Sequence, residues 1–116
     1  MTMNEPYGLP ILVTEQLQMI FCSEPQVKKV ILFGSRAKGN YRNGSDIDFC
    51  IETDTLTIFD LLKLSDKIEM LDLPWKVDLV LKHTIDNPEL LKHIQRVGVE
   101  FYPVVIPNCD KQIANS

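Results

Sequence analysis

Apolar residues along the chain recur at two spacings, and the change from one to the other marks its elements. After Thr14, residues Leu17, Ile20 and Phe21 fall at helical intervals; Thr14 can cap this helix and Pro25 closes it. Residues 29–33 (KVILF) form a short run rich in β-branched side chains, bounded by Gly34 and Ser35, which predicts a buried strand. Residues 46–52 (DIDFCIE) alternate, with Ile47, Phe49 and Ile51 on one face and Asp46, Asp48 and Cys50 on the other. Over residues 57–72 the helical period returns. Ile58, Leu61, Leu62, Ile68 and Leu71 make an apolar stripe expected to face the core, and Thr57 and Asp60 stand at capping-box spacing. Residues 76–81 (KVDLVL) predict a third strand, with Asp78 opposite Val77, Leu79 and Leu81. Asn87 or Pro88 opens a last helix that Gly98 ends, and residues 99–102 predict a fourth strand.

This order predicts an α/β (α+β) domain, a small mixed sheet with helices packed on it. The stretch between Phe33 and Asp46 is too long for a tight hairpin and barely long enough for a crossover helix, so spacing leaves the direction of the first strand pair open. Residues 1–116 are expected to form a single domain with loosely ordered ends, about 1–10 and 103–116.

Composition narrows the function. Charged residues make up 24% of the 116 and the formal net charge is -4, which argues against broad nucleic-acid binding. A local basic patch, Arg36, Lys38 and Arg42, still suits one nucleotide. The sequence holds neither an apolar run of membrane-spanning length nor a basic start followed by an apolar stretch, so a cytoplasmic protein with no membrane partner is expected. The three cysteines, Cys22, Cys50 and Cys109, include no CxxC pair; a zinc knuckle is not indicated, and Cys50 reads as core. His83 and His93 receive no role, and Trp75 reads as core or partner contact.

The chemistry concentrates in residues 34–48, GSRAKGNYRNGSDID. Gly34 lets backbone approach a ligand closely. Ser35 offers a hydroxyl and an N–H, and a helical turn starting there would aim further N–H groups at an anion, with Arg36 and Lys38 adding positive charge. Asp46 and Asp48, two apart in a strand, project roughly 6.5–7 Å from each other on one face. Carboxylates so placed suit magnesium, which prefers oxygen ligands. Asp78 is a third carboxylate in an otherwise apolar strand, where an unpaired charge is costly.

The sequence GSRAKGNYRNGSDID, a Gly-Ser, ten residues and an Asp-x-Asp, resembles the signature of the DNA polymerase β-like nucleotidyltransferase superfamily. With its short length and FGSRAKG, the chain resembles the minimal nucleotidyltransferase branch, the MntA-type antitoxins, over about residues 9–102. The resemblance implies that Asp46, Asp48 and Asp78 are catalytic and hold Mg2+, as two ions, while Gly34, Ser35, Arg36 and Lys38 bind ATP. It implies attack of a hydroxyl on the α-phosphate with release of pyrophosphate. It also implies a hetero-oligomer with a small helical HEPN-type toxin, whose tyrosine receives AMP. Two other readings stand beside it: a non-catalytic antitoxin that neutralises its partner by contact, and a small-molecule adenylyltransferase, which would need an added acceptor domain.

Overall fold

Alternating strands and amphipathic helices settle into one four-stranded sheet covered on both faces. The structure, a computed structural model, describes residues 6–42, 44–53 and 55–103. In chain order the elements are α1 (Ile11–Cys22), β1 (Lys29–Phe33), α2 (Ser35–Lys38), β2 (Ile47–Glu52), α3 (Ile58–Glu69), β3 (Val77–Leu81), α4 (Pro88–Val97) and β4 (Val99–Tyr102). The strand order is β3-β2-β1-β4. The strand direction left open by spacing is antiparallel for β1 and β2, with Phe33 opposite Asp48; β4 is also antiparallel to β1, and β3 runs parallel to β2. The sheet is therefore mixed, as expected.

The two-residue period divides the sheet's side chains between its faces. Val30, Leu32, Ile47, Phe49 and Ile51 are fully buried on one face, in a core with Leu17 and Phe21 of α1 and Leu64 and Ile68 of α3. Phe49 anchors that core through ring contacts with Phe21 at 5.1 Å and Phe101 at 4.7 Å. The other face carries Phe33 and Cys50 under Ile94 of α4.

Helix ends follow from local chemistry. Thr57 and Asp60 form the expected capping box on α3, and Asn87 caps α4 ahead of Pro88. Three expectations shift. The first helix starts at Ile11 with Pro10 before it, so Thr14 is not its cap; Thr14 is buried inside the helix and its N–H reaches the Pro10 carbonyl. Of the expected core stripe, Ile68 is buried and Leu61 and Leu71 pack against the core, but Ile58 and Leu62 are exposed, because α3 turns Leu64 to the sheet beside Ile68. Leu9, within the expected loose lead-in, is fully buried. The expected loose tail, from residue 104 onward, lies outside the described residues.

Candidate active site

Three strand ends meet where the carboxylates lie: the C-terminal end of β1 and the N-terminal ends of β2 and β3. Asp48 and Asp78 occupy paired positions on adjacent parallel strands, so both project from the face that α4 covers. Asp46 stands one residue before β2 and is exposed. Burial, then the negative charges of Asp78 and Asp46, raise the Asp48 carboxyl above its ordinary pKa, while His93 and Lys76 pull the other way. Asp78 and Asp46 thus both lie close enough to act on Asp48.

Gly34 explains how the turn comes so close to them. Its φ is 80°, and a Cβ built there would overlap Asp48 Oδ2. Only a residue without a side chain lets the chain leave β1 against that carboxylate. The helical turn expected after Gly34 forms as α2, beginning at Ser35 and closed by Gly39 in the left-handed region. Ser35 and Lys38 sit on this turn, and Lys38 is exposed. The turn begins directly after the residue that meets Asp48, although four residues add little macrodipole.

Arg36 departs from its expected place among the phosphate contacts. It is only 2% exposed. Nε donates to the Ser45 carbonyl at 3.1 Å and Nη1 to the Tyr7 carbonyl at 2.8 Å. Its guanidinium also lies 5.3 Å from the ring centres of both Tyr41 and Trp75. Burial lowers its pKa, with Tyr41 acting in the opposite direction. The side chain thus fixes the loop leading to Asp46 from within. Trp75, expected in the core or at a partner contact, closes over Arg36 together with Tyr41, a contact that sequence does not reveal because it joins three separate segments.

Asp78 lies 3.8 Å from Lys76 in a solvent-exposed pair, which is a weak interaction and leaves the carboxylate available. Cys50 is fully buried, and burial pushes its thiol pKa up to about 11, so it is no nucleophile at neutral pH. His93, given no role from sequence, faces the site from α4, its ring edge-on to Phe33 with centroids 6.3 Å apart. A cavity of about 440 Å³ lies beside the site, between the end of α3 and the start of β3, lined by Ser65, Asp72, Trp75 and Lys76 among others.

The donor set is all oxygen, which suits a hard divalent cation. A cation would also offset the repulsion from Asp78 and Asp46 that, after burial, raises Asp48. Among the described residues, however, no three acidic, histidine or cysteine side chains stand close enough together to form a closed metal cage. The arrangement is an open rim of carboxylates beside a glycine-serine turn, in keeping with a cation that shares its ligands with phosphate oxygens.

Comparison with known proteins identifies the family. The polymerase beta nucleotidyltransferase family matches residues 15–103. Two Methanocaldococcus jannaschii proteins, provisionally named protein adenylyltransferases, are similar in sequence. One is 39% identical over 72 residues, covering 60% of this chain and 72% of the relative. The other is 35% identical over 71 residues, covering 60% and 71%. Two solved structures share the fold. A toxin-antitoxin complex with AMP-PNP has a TM-score of 0.62 at 23% identity, over 87% of this chain and 78% of that one. The MNT antitoxin bound to a tri-AMPylated Shewanella oneidensis HEPN toxin has a TM-score of 0.59 at 23% identity, over 81% and 72%. With the Gly-Ser turn and strand aspartates in place and the match spanning most of its length, the chain belongs to the polymerase beta nucleotidyltransferase family.

Proposed function

We propose that this nucleotidyltransferase moves AMP from ATP to a hydroxyl of a partner protein, a small helical HEPN-type toxin, and so acts as an antitoxin. The observation that carries the reading is the pairing of Asp48 with Asp78 across β2 and β3, against a turn that only Gly34 can make. The relatives' names support the adenylyl group and a protein acceptor. The fold shared with a HEPN-bound antitoxin supports the partner.

In this reading Gly34 and Ser35 receive the triphosphate. Asp46, Asp48 and Asp78 would hold Mg2+, which when bound neutralises phosphate charge and lowers the pKa of a bound hydroxyl. Asp78, half-exposed on the edge strand, would meet the acceptor and take its proton. The acceptor oxygen forms a bond to the α-phosphorus as the bond to the β-phosphate oxygen breaks, and pyrophosphate leaves. Lys38, exposed on α2, can add charge at the outer phosphates, whereas Arg36 serves as a support for the loop.

The test is incubation with magnesium, α-labelled ATP and the protein encoded by the neighbouring gene. Label on that protein is the expected result, lost in Asp46→Asn and Asp48→Asn. Label that persists in these variants overturns the site. A neighbour that binds tightly without being labelled overturns transfer in favour of neutralisation by contact.

A further inference from the structure

We propose that His93, on α4, is a nucleotide-contacting residue that donates a hydrogen bond to the polyphosphate of the triphosphate held at Gly34, Ser35 and the carboxylates. This rests on the nucleotidyltransferase reading above and adds a residue from an element outside the Gly-Ser and Asp-x-Asp motifs.

Two observations place it. First, α4 packs on the same face of the sheet from which Asp48 and Asp78 project. Ile94 of α4 is buried with Phe33 and Cys50, and Cys50 shares that face with Asp48 two residues earlier. Second, His93 is half-buried with its ring edge-on to Phe33 at 6.3 Å, and Phe33 is the cross-strand partner of Asp48 and directly precedes Gly34. A polyphosphate laid along the Gly-Ser turn and Asp48 on this face would come to the α4 side, where the imidazole stands against Phe33.

A donor on α4 would add to the charge that Lys38 brings from α2. Arg36 is buried against the rings of Tyr41 and Trp75, with Nε and Nη1 on backbone carbonyls and Nη2 buried as well. Lys76 is exposed and lies 3.8 Å from Asp78, on the β3 side of the site. Three carboxylates and a triphosphate repel one another, and a donor on the α4 side offsets part of that charge. An imidazole N–H can do so in either protonation state.

Two substitutions separate contact from packing. His93→Phe keeps an aromatic ring against Phe33 and removes both nitrogens; His93→Gln keeps a donor and removes the ring. Binding of magnesium with AMP-PNP is measured by calorimetry, beside melting curves of each variant. The expected result is about tenfold weaker binding in His93→Phe at unchanged melting temperature, with His93→Gln within about threefold of the parent. Parent-like binding in His93→Phe overturns the inference, and so does a loss confined to His93→Gln, which would mark a packing role. Failure of the unsubstituted protein to bind AMP-PNP overturns the nucleotidyltransferase reading itself, and this inference with it. Binding by the parent together with an unaffected His93→Phe overturns the inference alone.

Discussion

Gly34 and Arg36 are two residues apart and answer different needs. At Gly34 the backbone sits at φ 80°, and any side chain meets Asp48 Oδ2. Gly34→Ala is expected to cut AMP transfer by more than about 100-fold and to lower stability by about 1–2 kcal/mol, checked by transfer kinetics and urea unfolding. Arg36→Ala removes two hydrogen bonds and both aromatic stacks, and leaves the Ser45 and Tyr7 carbonyls without that donor. A loss of about 2–4 kcal/mol is expected in unfolding experiments. Arg36→Lys should recover little of it, because an ammonium cannot reproduce the planar fork. The difference in legibility between these residues is physical. Gly34 and Asp48 could be read from sequence because their demands are local: a turn after a strand, then a carboxylate on the alternate face. Arg36 looked like a phosphate ligand because its charge is visible in the sequence, while the rings that cover it come from the following loop and the approach to β3.

Helix α3 shows what periodicity can and cannot tell. The capping box at Thr57 and Asp60 was legible because it needs two side chains three residues apart and nothing else. The buried face was legible in part. Ile68 is buried and Leu61 and Leu71 pack against the core as the stripe predicts, but packing against the sheet also takes in Leu64 and leaves Ile58, Phe59 and Leu62 exposed at 58%, 77% and 55%. The same limit hid His93, which lies next to the Leu90, Ile94 and Val97 stripe, since the pattern of one helix does not say which side of a sheet it covers. A paired substitution tests this assignment. Phe59→Ala should change unfolding free energy by no more than about 0.5 kcal/mol, as for a surface site. Phe49→Ala, which removes the ring contacts to Phe21 and Phe101, should cost about 3–5 kcal/mol. A large cost at Phe59 in the isolated protein would show that α3 buries a different face.

For the whole molecule, gathering three aspartates at one end of the sheet sets function against stability. Burial, and then Asp78 and Asp46, hold the Asp48 carboxyl above its ordinary pKa, so the folded protein keeps that proton more tightly than the unfolded chain does. The stability this group contributes is present in full below the ordinary carboxylate range, near pH 4, and is lost as pH rises through that range towards the raised value. The metal-free protein should therefore become less stable over that interval, by a modest amount because Asp48 is only half-buried. Asp48→Asn removes the titrating charge. It should melt at or above the parent temperature at neutral pH and flatten this part of the pH dependence, while abolishing transfer. In the proposed site magnesium would act in the opposite direction to the repulsion, because it would bind the ionised carboxylates and only the folded state gathers them. Its stabilising effect should grow as pH rises through the same interval and shrink in Asp48→Asn. Melting curves of both proteins, with and without magnesium across this interval, decide the matter: parallel curves for parent and variant would mean that the three carboxylates do not share a cation.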